Sequence, residues 1–273
     1  MAKKISRILL YVIVTLGAIT MLIPFLWMVS TSLKTSPETI KIPPVWIPKV
    51  LQWHNYVEAF NAAPFARYFI NSVIVTVVTT VGQLFTSILA AFAFSRLHFW
   101  GKNLLFMLFL GTMMIPGEML IIPNFVTLSK IGLIDHYGAL IVPWLASFFT
   151  VFTLRQAFQS TPEQIYYAAK MDGATDWKYL WTVLVPMSKS TITAVTVLSV
   201  IGSWNSFMWP LIVTNSENMR TLPVGLQAFT TDAGTQYQLL MAASTFVIIP
   251  MVIVYIFLQK YIIAGISKAG LKG

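Results

Sequence analysis

Apolar runs too long to be wrapped inside a soluble core punctuate this chain from end to end. The first, at about 8–31, follows Lys3, Lys4 and Arg7 and is longer than the about 20 residues needed to cross the hydrocarbon of a bilayer. Five more of comparable length lie at about 68–94, 104–126, 137–159, 190–213 and 240–263. Backbone in lipid must satisfy its hydrogen bonds internally, so such runs fold as spanning helices. Composition agrees: 57% of residues are hydrophobic and 10% are charged, against about 25% charged in soluble domains, and the mean hydropathy is +0.75. The expected class is an all-α integral membrane protein with six transmembrane helices. The first run is expected to be a retained helix, because a cleaved signal peptide has a core of only about 7–15 apolar residues.

Charge orients the spans. With both termini cytoplasmic, Lys3, Lys4, Arg7, Arg96, Lys102, Arg155, Lys170, Lys178, Lys189, Lys260, Lys268 and Lys272 fall inside, twelve of the 18 Lys and Arg residues. Lys34, Lys41, Lys49, Arg67, Lys130 and Arg220 fall outside, so the positive-inside rule favours this topology two to one. External loops are then expected at 34–67 and 214–239, and a cytoplasmic loop at 161–186. The same bias accounts for the net charge of +9 without nucleic acid. There is no cysteine, hence no disulfide and no thiolate metal site, and His54, His98 and His136 are too scattered to form a metal cluster. In the first external loop, Pro43-Pro44, Trp46, Pro48, Trp53 and Tyr56 suit an aromatic interfacial segment.

The 161–186 loop, TPEQIYYAAKMDGATDWKYLWTVLVP, is the one long polar interruption in the second half. Thr161, Pro162 and Gln164 read as a capping box with proline at the first helical position. Gly173 suits a left-handed helix end, Thr175 or Asp176 a second cap, and Pro186 a stop. Ile165, Ala168, Ala169 and Asp172 recur at i, i+3, i+4 and i+7, a narrow face that another surface can approach closely.

Tyr167-Ala168-Ala169-x3-Gly173-x9-Val183-x-Val185-Pro186 resembles the Glu-Ala-Ala-x3-Gly-x9-Ile-x-Leu-Pro loop of permease subunits of binding-protein-dependent ABC importers. Tyr166 and Tyr167 stand where that family usually carries at least one acidic residue. The resemblance continues through SLKTSPETIKIPPVWIPKVLQWHNYVEAF, MIPGEMLIIPNF, SWNSFMWPLIV and TLPVGLQAF to Lys272-Gly273, and points to the second, six-helix permease of carbohydrate importers. It implies the type I importer permease fold in a bacterial inner membrane. The implied partners are a second homologous permease, two ATPase subunits and an extracytoplasmic solute-binding protein, with a carbohydrate as cargo. It also implies ATPase coupling through Glu163, Ile165, Tyr167, Ala168, Ala169, Asp172, Gly173 and Pro186. ATP and magnesium would be bound by the partner; Gly265-x4-Gly270 is followed by Leu271 where a phosphate loop needs lysine, so no cofactor and no catalysis are expected in this chain. By the same resemblance Thr221, Pro223 and Gly225 in the last external loop would touch the binding protein, and the tail from Lys268 to Gly273 would meet the ATPase.

Candidate pathway residues are read from polar groups inside apolar spans. Glu118 is the sole carboxylate well inside one; charge is costly there, so it is expected to face a cavity, a partner helix or interfacial water, with Pro116 and Pro123 bending the helix around it. An ion-gradient-driven secondary transporter built on Glu118 is the competing class. Thr76, Thr79, Thr80, Gln83 and Ser87 form one polar stripe, and Thr196, Ser199, Ser203 and Ser206 another. Such stripes line a route for a polyhydroxylated solute or bind helices together. Gln83 is the stronger pathway residue. Asn205 and Trp209, at i and i+4, would offer an amide and an aromatic plate on one face, or else belong to an interfacial aromatic belt.

Overall fold

The structure is a computed structural model describing residues 2–231 and 234–270, with side chains described over 6–230, 234–257 and at 259. The basic tail from Lys268 to Gly273 therefore lies outside the described side chains. The chain divides into two compact units, Met1–Phe65 with Gly225–Val252, and Ala66–Val224 with Ile253–Gly273.

In the first unit the Ala2–Ser32 helix leads into a folded 34–65 segment rather than a loose loop. Asn55, on the His54–Asn61 helix, donates from Nδ2 to the carbonyls of Ser32 (2.8 Å) and Lys34 (2.9 Å). Those two bonds satisfy carbonyls that the end of the long helix leaves unpaired. Ser32 Oγ also lies 2.8 Å from the Tyr56 hydroxyl. Tyr56, Phe60 and Phe65 meet the ring of Phe246, on the Tyr237–Gly270 helix, at centroid distances of 6.1, 5.8 and 6.1 Å. The strand content described is one two-residue antiparallel pair, Thr230–Thr231 with Gly234–Thr235, inside the expected external loop.

The second unit contains the uninterrupted Phe65–Arg96 helix from Ala66 onward, followed by helices that bend. Among the described residues three helices are individually long and apolar enough to cross a membrane: Ser6–Ser32, Phe65–Arg96 and Tyr237–Phe257. Three further candidates are bent pairs: Lys102–Thr112 with Gly117–Lys130 (95°), Tyr137–Trp144 with Phe148–Gln159 (41°), and Asp176–Met187 with Lys189–Trp204 (81°). The first two bends fall inside the runs at 104–126 and 137–159, the first of them at the turn that carries Glu118, where Pro116 was expected to bend the helix; the third, at Ser188, lies just before the run at 190–213. The last run also breaks at 205–207 before the Met208–Val213 helix.

Prolines lie close to each break. Pro123, Pro143, Pro186 and Pro210 each sit in the first turn of a restarted helical segment. In a first turn the missing N–H has no intrahelical acceptor to lose, and Val142 and Val185, which precede Pro143 and Pro186, keep right-handed helical geometry. Pro186 accordingly does not stop the chain; Val185–Met187 continues it and the break comes at Ser188. Just before, the 180–184 turn widens to a π-helix in which Val185 N–H donates to Leu180 O, five residues back.

Two clusters hold this unit together. One gathers Ile88, Ala91, Phe92, Leu154, Phe158, Tyr179, Leu180, Leu184 and Val195. The other gathers Val75, Leu128, Ala139, Leu140, Trp209 and Val213. At Gly82 the backbone comes so close to Leu145 that an added Cβ would lie 2.4 Å from its Cδ2, the close approach that small residues permit between membrane helices.

Candidate functional site

The 161–186 loop is anchored by a buried cation. Arg96, at the end of the Phe65–Arg96 helix, donates from Nη2 to the carbonyls of Phe158 (2.7 Å) and Thr161 (2.5 Å), filling acceptors at the C-terminal end of the Phe148–Gln159 helix. The following helix is Glu163–Met171, with Pro162 in extended geometry as its cap position and no side-chain cap bond. The expected Thr161 cap with Pro162 in the first turn is therefore shifted by one residue. Thr161 is instead buried, held by its carbonyl.

The helix ends as its glycine requires. Gly173 has φ +79°; Gly173 N–H donates to Lys170 O (3.0 Å) and Ala174 N–H to Ala169 O (2.9 Å). This is the paired Schellman arrangement, in which a left-handed residue turns the chain while capping the last carbonyls. Thr175 then caps the next turn, its hydroxyl accepting from Lys178 N–H (3.2 Å). Asp176 links the two helices: Oδ1 accepts from the Tyr166 hydroxyl (2.7 Å) and from Lys170 Nζ (2.7 Å). Those two bonds hold its carboxyl below the usual range. Burial, and then the bond to Asp176, pushes the Tyr166 hydroxyl up to about 12, and its ring meets Tyr179 edge-on at 5.0 Å.

The expected docking stripe is split by the packing. Ile165 and Ala169, with Tyr166, turn onto the Phe92–Tyr179 core cluster, whereas Ala168 and Asp172 are exposed. The free face instead runs through Glu163, Tyr167, Ala168 and Met171, the last 86% exposed, with Gly173 beside it; Pro186 is exposed further along. A narrow face of small residues suits close packing in either direction, and here the core takes half of it.

The second feature of this unit is a cavity of about 360 Å³, within the about 300–1,000 Å³ typical of small-molecule sites. The Phe65–Arg96 helix supplies Ser72, Thr79 and Gln83, one stripe at helical spacing. The Lys189–Trp204 helix supplies Ser199, Gly202 and Ser203, and Ser206 follows in the break. Trp144, Ser147, Thr150, Trp209 and Thr221 complete the polar and aromatic lining, with aliphatic and aromatic side chains between them. No lining residue is charged. The indole of Trp209 donates to Ala139 O (2.9 Å) and crosses Trp144 nearly at right angles, 83°. Its N–H is thus committed, leaving the ring as its contribution. Thr79 and Thr221, both buried, have hydroxyls without a partner among the described residues.

A family model described as binding-protein-dependent transport system inner membrane component matches residues 83–268. This chain belongs to that family. It is accordingly a multi-pass protein of the inner membrane. The arabinooligosaccharides transport system permease protein AraQ of Bacillus subtilis is 34% identical, over 99% of this chain and 97% of that one. The sn-glycerol-3-phosphate transport system permease protein UgpE of Yersinia pestis is 31% identical over 94% of both. Among solved structures, a chain of a bacterial ABC transporter involved in the import of the acidic polysaccharide alginate superposes with a TM-score of 0.83 at 24% identity, over 96% of this chain and 98% of that one. At that identity the likeness speaks for the fold.

Within this family fold, the residues singled out by sequence separate clearly. Gln83 and Trp209 do line the cavity. Asn205 does not: it is exposed and ends the Lys189–Trp204 helix, so the break at 205–207 destroys the i, i+4 register it was to share with Trp209. Glu118 does not either; it sits exposed in the 3-10 turn Gly117–Leu120, at the 95° bend between two half-helices. Of the hydroxyl stripes, Thr196 bonds back to Ile192 O (2.7 Å) and Thr76, Thr80 and Ser87 face elsewhere, as helix-packing groups.

Thr221, Pro223 and Gly225, expected on an external contact surface, are all buried. The preceding strand of chain is clamped by Asn71, whose Nδ2 donates to the carbonyls of Asn218 (2.8 Å) and Arg220 (2.8 Å), while Leu222 N–H donates to Ser72 Oγ (2.8 Å). Thr221 is thereby carried to the cavity wall. Trp144, Ser147 and Thr221 were missed as lining residues, because none stands out by period or charge in its own segment; Ser72 was missed although it extends the 76–87 stripe by one helical turn.

Proposed function

We propose that this chain is the membrane permease subunit of an ATP-driven importer that carries a carbohydrate into the cytoplasm. In this reading it pairs with a second permease, docks on two ATPase subunits that bind ATP and magnesium, and receives its cargo from a solute-binding protein; it catalyses no reaction itself. The observation that carries the proposal is near end-to-end likeness to permease subunits named for arabinooligosaccharides and for glycerol phosphate, joined to a cavity walled by hydroxyls, an amide and aromatic rings.

The topology we propose has six spans, with both termini and the 161–186 loop cytoplasmic; Asp176–Met187, before the 81° bend, belongs to the loop, and the fifth span begins at the Lys189–Trp204 helix. The excess of Lys and Arg on the cytoplasmic side supports this orientation. The surface through Tyr167, Ala168 and Met171 is the part of the loop free to meet the ATPase, and the Gly173 turn with the Asp176 bonds lets the loop move as one body. ATP-driven movement of the ATPase pair would pass through it to the helices around the cavity. An ion-driven transporter would need a titrating carboxylate at the route, and the lining has no acidic residue.

The test is to tag the chain in its native membrane, solubilise it gently and identify what co-purifies by mass spectrometry. A second permease and an ATPase are expected. Recovery of this chain alone from several mild detergents, with solute accumulation driven by a proton or sodium gradient, would overturn the proposal.

A further inference from the structure

We infer that the cavity selects an uncharged, polyhydroxylated solute and rejects anionic sugars such as sugar phosphates and uronates; the inference rests on the importer reading above and narrows its cargo.

The wall carries uncommitted hydrogen-bonding capacity that converges on one space. Gln83, Ser199, Ser203 and Ser206 have no side-chain hydrogen bond among the described residues, and Thr79 and Thr221 are more than nine-tenths buried with unpartnered hydroxyls. A buried amide or hydroxyl left unpaired costs free energy that a bound partner restores. Each of these groups except the amide N–H₂ both donates and accepts or accepts alone, as sugar hydroxyls do in return. The rings of Trp144 and Trp209 offer apolar plates, and Trp209 is fixed by its bond to Ala139 O. An apolar wall with a few convergent polar groups is how small-molecule sites set orientation.

Charge is what the wall cannot accommodate. A carboxylate or phosphate moved into it would lose its hydration, and none of the lining side chains is a lysine, arginine or histidine to compensate. A neutral saccharide exchanges water hydrogen bonds for hydroxyl and amide bonds at little net cost. The volume, about 360 Å³, holds on the order of ten waters at about 30 Å³ each, so one or a few sugar rings would displace most of the water it can contain.

The experiment uses the intact complex, purified with its companion subunits and its own binding protein, reconstituted in ATP-loaded proteoliposomes. Uptake of labelled neutral arabino-oligosaccharide and malto-oligosaccharide is compared with that of sn-glycerol 3-phosphate and a uronate trisaccharide. Neutral uptake is expected, and Gln83→Leu should lower it about five- to tenfold through the lost amide bonds. Gln83→Asn should recover part of that loss, with recovery of the assembled complex as the folding control. If Gln83→Leu fails to assemble, Ser203→Ala is read instead, with an expected fall of about two- to fivefold. Uptake of the phosphate or the uronate would overturn the neutral-solute inference and leave the importer reading standing. Neutral uptake indifferent to both variants would overturn the assignment of this cavity. If neither set moves while a non-carbohydrate solute does, the carbohydrate reading fails and the inference with it.

Discussion

Gly173 offers a perturbation whose effect comes from one cause. Its φ of +79° lies in the left-handed region, and a Cβ built on it meets nothing within 4 Å. Gly173→Ala therefore adds no clash, and the cost is backbone strain of about 1–2 kcal/mol. If the turn is to relieve that strain, it gives up the Gly173–Lys170 and Ala174–Ala169 bonds. The Thr175 cap and the reach of Asp176 to Tyr166 and Lys170 go with them. One to two kcal/mol corresponds to about a 5- to 30-fold increase in the open population of the turn. The assay is amide hydrogen exchange over residues 169–178 in the purified complex, where protection should fall by that factor in Gly173→Ala. Asparagine tolerates left-handed geometry better, so Gly173→Asn should fall between glycine and alanine. In transport, solute moved per ATP hydrolysed should decline in the same order, with Gly173→Leu uncoupled. Equal protection for glycine and alanine, or asparagine worse than alanine, would refute the strain argument.

Other expectations follow from single contacts. Gly202 lines the cavity with open space where a Cβ would stand, so Gly202→Ala should be tolerated while Gly202→Leu fills the cavity and cuts solute uptake at least tenfold without loss of the assembled complex. Trp209→Phe keeps an aromatic plate but leaves the Ala139 carbonyl unpaired, a cost of about 1–3 kcal/mol readable as a lower unfolding midpoint in detergent. Asp176 contributes its bonds fully above the ordinary carboxylate value of 3.8, and loses them as pH falls through its lowered folded value. Tyr166 contributes fully below its ordinary value of 10.0, and loses its contribution as pH rises from there through about 12. Exchange protection of the loop, corrected for intrinsic rates, should then be flat between about pH 5 and 9, and a step near neutral pH would contradict the pairing. Tyr166→Phe should weaken the loop by about 1 kcal/mol, whereas Lys170→Ala should do less, because the ion pair is a third or more exposed.

The sequence by itself determined the membrane class, the long apolar helices at about 8–31, 68–94 and 240–263, and the turn at Gly173. Each rests on short-range information: hydropathy summed over some 20 residues, or a glycine and a capping threonine within one turn of each other. Pro116 marked the 95° bend, yet a hydropathy window adds apolar residues without regard to direction, so the 41° bend before Phe148 and the break at 205–207 lay hidden inside single runs. Only tertiary structure decided which polar groups share a space. Ile165 and Ala169 turn inward because Phe92 and Tyr179 are packed opposite them, not because of their own spacing. Asn205 lost its register to a break, and Glu118 stayed on an exposed turn. Thr221 reached the cavity because Asn71 and Ser72, about 150 residues earlier in the chain, hold the backbone around it. Periodicity ranks positions on one helix, but a cavity is closed by side chains from several segments, and their relative placement is set by long-range bonds that leave no local pattern to read.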